Sequence, residues 1–355
     1  MQRNKINFEG QKIFIGIDVH KTTWEVASIT ESGVLSRHPQ VSSAQVLFDF
    51  LSKRYPGGEY HAVYEAGFSG FSTYYSLVPY GIDCIVIHAA DVPTTQYEKA
   101  MKTDRIDAEK LARSLRAGLL RGIYVRGRES LDDLSVSRIR KGIQQQLSGC
   151  KCRVKHMLHC NGVAMPERFE RPGSHWSRAF IRWLKEDVRL LSPTRTSLDL
   201  LISQVESTRA NLLEATMAMR DLSRGERYSR QFNLIMTVPG IGFKTAMCIL
   251  TEVCDIDRFS NEREFAAYLG LIPTCHNSGE KISNGEKTFR GNKHLGPMLV
   301  EASWVAITRD EGLGLAYSHF KERMEPQKAI IRIARKMSNI IFSLLKTGNE
   351  YVPYA

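Results

Sequence analysis

The stretch KIFIGIDVH, residues 12–20, limits the fold more than any other. Ile13 to Val19 is a nearly continuous apolar run, broken only by one glycine and one acid. A strand with one wet face alternates apolar and polar residues, so a run apolar on both parities belongs to a strand covered on both sides. That requires a layered α/β domain with helices lying on the sheet. The following residues agree. Trp24 to Ile29 reads as a second strand, and TESG turns the chain into a third near Val34. SSAQVLFDFLSKRY is an amphipathic helix, YHAVYEAG a buried strand ending at Glu65, Phe68 to Val78 a helix, and IDCIVIHA another strand. The order β-β-β-α-β-α-β-α predicts a hairpin pair beside parallel strands, with helices on the faces.

KTDRIDAEKLARSLRAG, residues 102–118, supplies the last helix of that series. Ala108, Leu111, Ala112 and Leu115 form its apolar stripe, and Thr103 is a candidate N-cap. Asp104 and Asp107 stand a turn apart on one side. Acids are common in a first helical turn, where the helix dipole favours them, yet two like charges at this spacing repel.

The middle of the chain is helical and shows no strand signal. SHWSRAFIRWLKEDVRLLSP aligns Trp176, Phe180, Trp183, Leu184, Val188 and Leu191 on one face. A heptad follows, with Leu198, Val205, Leu212 and Met219 in one seam and Leu201, Thr208, Ala215 and Leu222 in the other. It suits either an antiparallel pair within the chain or a contact between copies. Beyond it, Pro239-Gly240-Ile241-Gly242 is a tight turn between two short helices, the second starting near Phe243. Such a turn presents helix-start amides to a phosphate, the pattern of a helix-hairpin-helix contact with a DNA backbone; a plain helical turn is the ordinary alternative. The chain then passes from a helix through a Gly- and Ser-rich loop. A helix with its stripe at Leu295, Met298, Leu299 and Ala302 follows, and a last helix from Gln327 to Lys346. The divisions expected are 1–125, 126–230 and 231–355.

Charge narrows the partners. The 355-residue chain carries a net charge of +11, unevenly spread. Residues 1–96 are slightly acidic, whereas from Tyr97 to Cys160 basic residues outnumber acidic ones by about two to one. A second basic stretch runs from Lys281 to Lys346. A polyanion, nucleic acid first, is the expected partner. No apolar run approaches a membrane span and no signal-peptide core is present, so a cytoplasmic protein is expected. The seven cysteines are irregularly spaced, which argues against a disulfide framework. Cys150, Cys152, His156, His159 and Cys160 invite a zinc reading, but on a helix they do not gather four ligands, and no paired CxxC occurs.

Asp18 and Glu65 end the first and fourth strands, which such a sheet makes neighbours. A helix after the fifth strand can pack across both, bringing Asp104 and Asp107 toward them. Four gathered carboxylates repel prohibitively unless cations neutralise them, and Mg²⁺ or Mn²⁺ suits oxygen donors. Two such ions can clamp the attacking and leaving oxygens of a phosphoryl transfer.

Asp18 in FIGIDVHK, Glu65 in YEAG, and Asp104 with Asp107 in KTDRIDAEKLA resemble the Asp-Glu-Asp-Asp set of the RuvC-like domain in insertion-sequence-110-type transposases. VPGIGFKTA resembles that family's helix-hairpin-helix, and FAAYLGLIPTCHNSGEKISNGEKTFRGNKHLGPMLVEAS its catalytic-serine block. The match runs from about Ile13 to Ala306, in order, across a helical spacer. It implies an α/β RuvC/RNase H-like domain, a coiled-coil-like middle and a mostly helical C-terminal domain. It implies a Mg²⁺-dependent DNA transposase or recombinase in which Ser278 attacks DNA to form a phosphoserine link. The acids and the serine would come from different protomers of a dimer or tetramer, and a structured noncoding RNA would choose donor and target DNA. Its seat would be the basic stretch from Arg113 to Lys155. From the residues alone, Ser278 is a loop serine beside Gly279, with Ser283 its competitor. Lys281, Lys287, Arg290 and Lys293 lie near enough in sequence to steady a phosphate, and His20 and Lys21 follow Asp18 closely. The expected nucleic-acid contacts are Lys21, Arg113, Arg116, Gly240, Gly242, Lys244, Lys281, Lys287, Arg290 and Lys293. Two rivals share this sheet order or fold family. One is a DNA invertase or resolvase. The other is an actin-like ATP-dependent sugar kinase, which would need a Gly-rich adenosine loop that is missing and has no use for the basic surplus.

Overall fold

The structure is a computed structural model that describes residues 7–93, 104–278, 281–287 and 291–353. The chain divides into two compact units, Met1–Val125 and Arg126–Ala355.

The first unit is built on a five-stranded sheet in the order β3-β2-β1-β4-β5. Its strands are β1 (Lys12–Val19), β2 (Thr23–Thr30), β3 (Leu35–Val41), β4 (Glu59–Glu65) and β5 (Asp83–Ile87). β2 lies antiparallel to β1 and β3, while β1, β4 and β5 run parallel. β1 and β4 are therefore neighbours, as the order of elements predicts. Helix α1 (Ala44–Arg54) is capped by Ser43 and covers one face, where Ile13, Ile15, Ile17, Trp24, Val26, Ala62 and Tyr64 are buried. α2 (Ser72–Leu77) is shorter than the predicted Phe68–Val78, because Gly70, in the left-handed region at φ 52°, belongs to the turn before it. α3 (Asp104–Arg116) covers the other face: Ala108 and Ala112 pack on Ala27 and Ile29, and Leu111 packs on Val63, Ile87 and Val92. Residue 103, the candidate N-cap, lies outside the described residues.

In the second unit, α4 (Arg128–Cys160) and α6 (Ser192–Arg224) pair antiparallel within the chain, Arg140 Nε donating to Thr216 and Arg153 Nη2 to Gln204. The heptad serves this pairing: Leu198, Val205 and Met219 are buried and Leu212 half-buried, with Leu201 and Leu222 partly covered. The predicted apolar helix around Trp183 is curtailed to α5 (Arg178–Glu186). Trp176 sits at φ 67° before it, and Arg195 Nη1 takes the end-carbonyls of Leu184 and Val188 at 2.8 and 3.0 Å. Leu191, expected on the same face, is 82 % exposed.

The core of the remainder gathers α7 (Ser229–Met236), α8 (Phe243–Val253), α9 (Glu262–Tyr268), α10 (Leu295–Arg309), α11 (Glu311–Lys321) and α12 (Pro326–Thr347). α12 buries Ile330, Ala334, Met337, Ile341 and Leu344, as its periodicity predicts. The predicted Gly- and Ser-rich loop departs from expectation. It contains a two-stranded hairpin, β6 (Pro273–Ser278) with antiparallel β7 (Lys281–Lys287).

Candidate active site

A glycine sets the geometry of the first unit. β1 buries Ile13, Ile15 and Ile17 toward α1, so Gly16 and Asp18 take the opposite face, under α3. A Cβ on Gly16 would overlap the Ala108 carbonyl oxygen and stand 2.6 Å from the Ala112 nitrogen and 2.9 Å from the Leu111 Cβ. Only glycine lets the helix backbone settle on the strand here.

The direction of α3 follows from its far end. Arg116 Nη2 donates to the Glu31 carbonyl at 2.9 Å, and the Glu31 carboxylate accepts from the Lys12 amide at the start of β1. The C-terminus of α3 thus lies over the amino end of β1, and its first turn, with positions 104 and 107, lies toward the carboxyl end. Across the sheet, Glu109 pairs with Arg37 on β3 and with Arg113 one turn on. Burial alone would raise the Glu109 carboxyl, but these two guanidiniums hold it below the usual range.

The carboxyl ends of the strands carry a row of acids. The β1–β4 ladder runs to Ile17 beside Tyr64, so Asp18 and Glu65 follow side by side. Asp18 also stands across from Glu25 on β2, which shares its face. Glu25, an acid inside an apolar strand, carries no motif that marks it in the sequence. All three are partly exposed. Asp107 precedes Leu111 by one turn, on the flank of α3 that packs toward β4. His20 Nε2 lies 3.3 Å from Asp18 Oδ2, and the tight β1–β2 turn leaves Lys21 exposed. Among the described residues, no group of three or more His, Cys, Asp or Glu side chains forms a ready cage for a metal. Asp18, Glu25 and Glu65 bring carboxylate oxygens to the strand ends, the donor type that a hard divalent cation takes.

The second unit holds the other predicted residues. Ser278 ends β6 and pairs with Lys281, the first residue of β7, while Lys287 pairs with Pro273 at the other end. Ser278 is thus at a strand end rather than in a free loop. Arg290 lies outside the described residues, and Lys293 is exposed just before α10. In the Pro239–Gly242 turn the two glycines differ. Gly240, at φ 82°, packs on α10: a Cβ would overlap the Ala302 carbonyl and stand 2.9 Å from the Ala306 nitrogen. Its close approach is to the protein's own helix. Gly242 faces open space as N-cap of α8, with Lys244 exposed in the first turn.

The basic residues also separate. Arg113 pairs with Glu109 and Arg116 with the Glu31 carbonyl. Arg126 and Arg140 are buried, Arg126 donating to the carbonyls of Thr251 and Glu252 at the end of α8. By contrast, Lys151 lies over the Trp176 ring at 5.5 Å, and burial together with Arg209 and Lys155 lowers its pKa. Lys151, Lys155 and Arg209 thus stand close enough for their charges to interact.

Two acids of this unit are buried among the described residues, Asp310 and Glu252. Glu252, on α8, is 3 % exposed and receives Arg138 Nε and Nη2 at 3.0 and 3.1 Å. Burial pushes its carboxyl up, yet the Arg138 and Asn292 hydrogen bonds bring it below the usual range.

Comparison with known proteins finds one family in both halves of the chain. Residues 15–160 match a DEDD transposase model of the IS110 type, and residues 232–318 match the model of the transposase IS116/IS110/IS902 family. The chain is 26 % identical to the transposase for insertion sequence element IS1533 of Leptospira borgpetersenii, over 93 % of this chain and 97 % of that protein. It is 23 % identical to the transposase for insertion sequence element IS1111A of Coxiella burnetii, over 95 % and 90 %. A pilin gene-inverting protein of Moraxella bovis is 30 % identical over 34 % of this chain and 38 % of its own length.

Proposed function

We propose, for a chain that belongs to the IS110-type transposases, that DNA strands are cut and rejoined through Ser278 with the help of Asp18, Glu65, Asp104 and Asp107. The observation that carries this reading is the seating of α3 on Gly16, which turns the first turn of the helix toward the strand ends that bear Asp18 and Glu65. Those four carboxylates would hold a divalent ion, Mg²⁺ or Mn²⁺, and a pair of ions is the stoichiometry proposed. When bound, such an ion supplies Lewis acidity at a phosphoryl oxygen.

The chain's own groups do the rest. The Ser278 hydroxyl gives up its proton as its oxygen bonds to phosphorus, and one strand oxygen leaves as a hydroxyl. Attack by a hydroxyl of the new strand on the same phosphorus releases the serine, so one phosphodiester replaces another. Lys281, Lys287 and Lys293 supply cations near Ser278 in sequence, and the Gly242 amide with Lys244 meets the DNA backbone at the α8 N-terminus. Asp18 and Glu65 belong to one unit and Ser278 to the other, and we assign the completed site to two protomers of a homo-oligomer. A noncoding RNA encoded by the element is the proposed guide. Its seat is the cation cluster Lys151, Lys155 and Arg209 beside Trp176.

The similarity to a gene-inverting protein covers about a third of this chain and leaves inversion as the alternative outcome for the same cuts. Strand transfer between plasmids bearing the element's ends tests the reading. Ser278→Ala and Asp18→Asn each abolish joined products and leave DNA binding in place. Joined products from Ser278→Ala would remove the serine from the mechanism.

A further inference from the structure

The chain is held fast where it enters and leaves the hairpin of β6 and β7, whose far end carries Ser278. The chain enters it from α9, closing at Gly270 (φ 69°), and leaves it at Gly291. There the two backbones touch: a Cβ on Gly291 would overlap the Gly270 Cα and lie 2.5 Å from its nitrogen. The next residue, Asn292, uses its main-chain amide and both polar atoms of its side chain. Its amide donates to the Tyr268 carbonyl at 2.6 Å. Its Nδ2 donates to Glu252 Oε2 and to the Tyr268 hydroxyl, both at 3.0 Å. Its Oδ1 accepts from the amides of His294 and Leu295 at 2.8 and 3.1 Å, which caps α10. The Tyr268 hydroxyl in turn donates to the Glu252 carbonyl at 2.8 Å.

Packing alone would not need such a set. A buried carboxylate can be replaced by apolar residues at little loss of stability, whereas a fully satisfied polar network fixes one geometry. Here the fixed geometry is the exit and entry of one hairpin, joined to α8, α9 and α10 at once. We propose that Glu252, Tyr268 and Asn292 are positioning residues that aim Ser278 at the scissile phosphate. This rests on the serine reading above.

The test separates aim from fold. Asn292→Ser keeps a helix cap but cannot reach Glu252. Glu252→Gln keeps shape and removes the charge that Arg138 and Asn292 grip. Each is measured as full-length protein for three quantities: Tm, affinity for element-end DNA, and the single-turnover rate of covalent protein–DNA adduct at saturating DNA. A displacement of about 1 Å costs about a hundredfold in rate. The adduct rate is therefore expected to fall at least about thirtyfold in Asn292→Ser, with DNA affinity and the folded fraction at assay temperature held. Joining Asn292→Asp to Glu252→Gln moves the carboxylate across the same hydrogen bond and restores part of the rate. Wild-type rate in Asn292→Ser overturns the proposal, as does a loss of rate that only tracks lost affinity or unfolding. Should Glu252→Gln fail to fold, Asn292→Ser and the double variant still decide. An adduct that persists in Ser278→Ala is a different failure, that of the serine reading itself.

Discussion

Gly16 and Ala108 meet backbone to backbone, with no room between them for a methyl group. This contact seats α3 on β1, and the acids at either end of it depend on the seating. Gly16→Ala must push the helix outward. Overpacking of this kind destabilises by about 1–3 kcal/mol, and metal-dependent nicking should fall further than the lost folded fraction explains. Urea unfolding and a nicking assay on one preparation check it. A fully active, equally stable Gly16→Ala would mean that the close contact does not govern the site.

A second expectation concerns metal and needs no DNA. Glu65, Asp18 and Glu25 stand in one row across the sheet, and a bound cation relieves their repulsion. Mg²⁺ at about a hundred times its Kd adds about 2.7 kcal/mol to a site that binds only when folded. The wild-type Tm should rise with Mg²⁺ and Mn²⁺, and Asp18→Asn should flatten that response. Equal shifts in both proteins would place the metal elsewhere.

The two glycines of the tight turn should behave differently. Gly240→Ala puts a side chain both at φ 82° and into the backbone of α10, and should destabilise by at least about 2 kcal/mol. Gly242→Ala meets open space and should shift stability by less than about 1 kcal/mol. Its loss should instead appear in DNA affinity, measured by filter binding beside a denaturation curve.

The Glu252–Arg138 pair sets a pH dependence with a definite sign. Glu252 has its carboxyl held below the unfolded value, so its stabilising contribution is present above about pH 4.5 and fades as pH falls through the folded pKa. Arg138 is 54 % exposed, so solvent screens the pair and Arg138→Met should cost about 1–2 kcal/mol at neutral pH. Without the cation, burial raises the Glu252 pKa. The gap in stability between wild type and variant should therefore begin to narrow above about pH 4.5, where the variant's raised carboxyl takes up its proton, and go on narrowing as pH falls through the lowered wild-type pKa. A gap that stays constant from pH 7 to pH 4 would show that the charge pair contributes nothing.

What the sequence disclosed follows from the range over which each signal acts. The strand order, and with it the adjacency of Asp18 and Glu65, is written in local periodicity between Ile13 and Ile87. α12 is legible for the same reason, its buried residues recurring at helical spacing. The sequence predicts a loop at Ser278 because PTCHNS and KISNGEK are mostly polar, the second with a glycine, and lack the alternation that marks a strand over a core. α5 ends at Glu186, and the group that takes its Leu184 carbonyl, Arg195, stands nine residues beyond that end. No motif in the sequence marks Glu252. Its partners Arg138 and Asn292 are 114 and 40 residues away, and no spacing rule spans such distances.

The most direct measurement is a denaturing gel of the purified protein after incubation with Mg²⁺, the element's flanking transcript and a plasmid bearing the element's ends. The expected result is protein covalently attached to DNA, dependent on the metal and absent from Ser278→Ala. Metal-dependent nicking without any adduct would contradict it, leaving the carboxylates to cut by activating water and Ser278 as a strand-end residue.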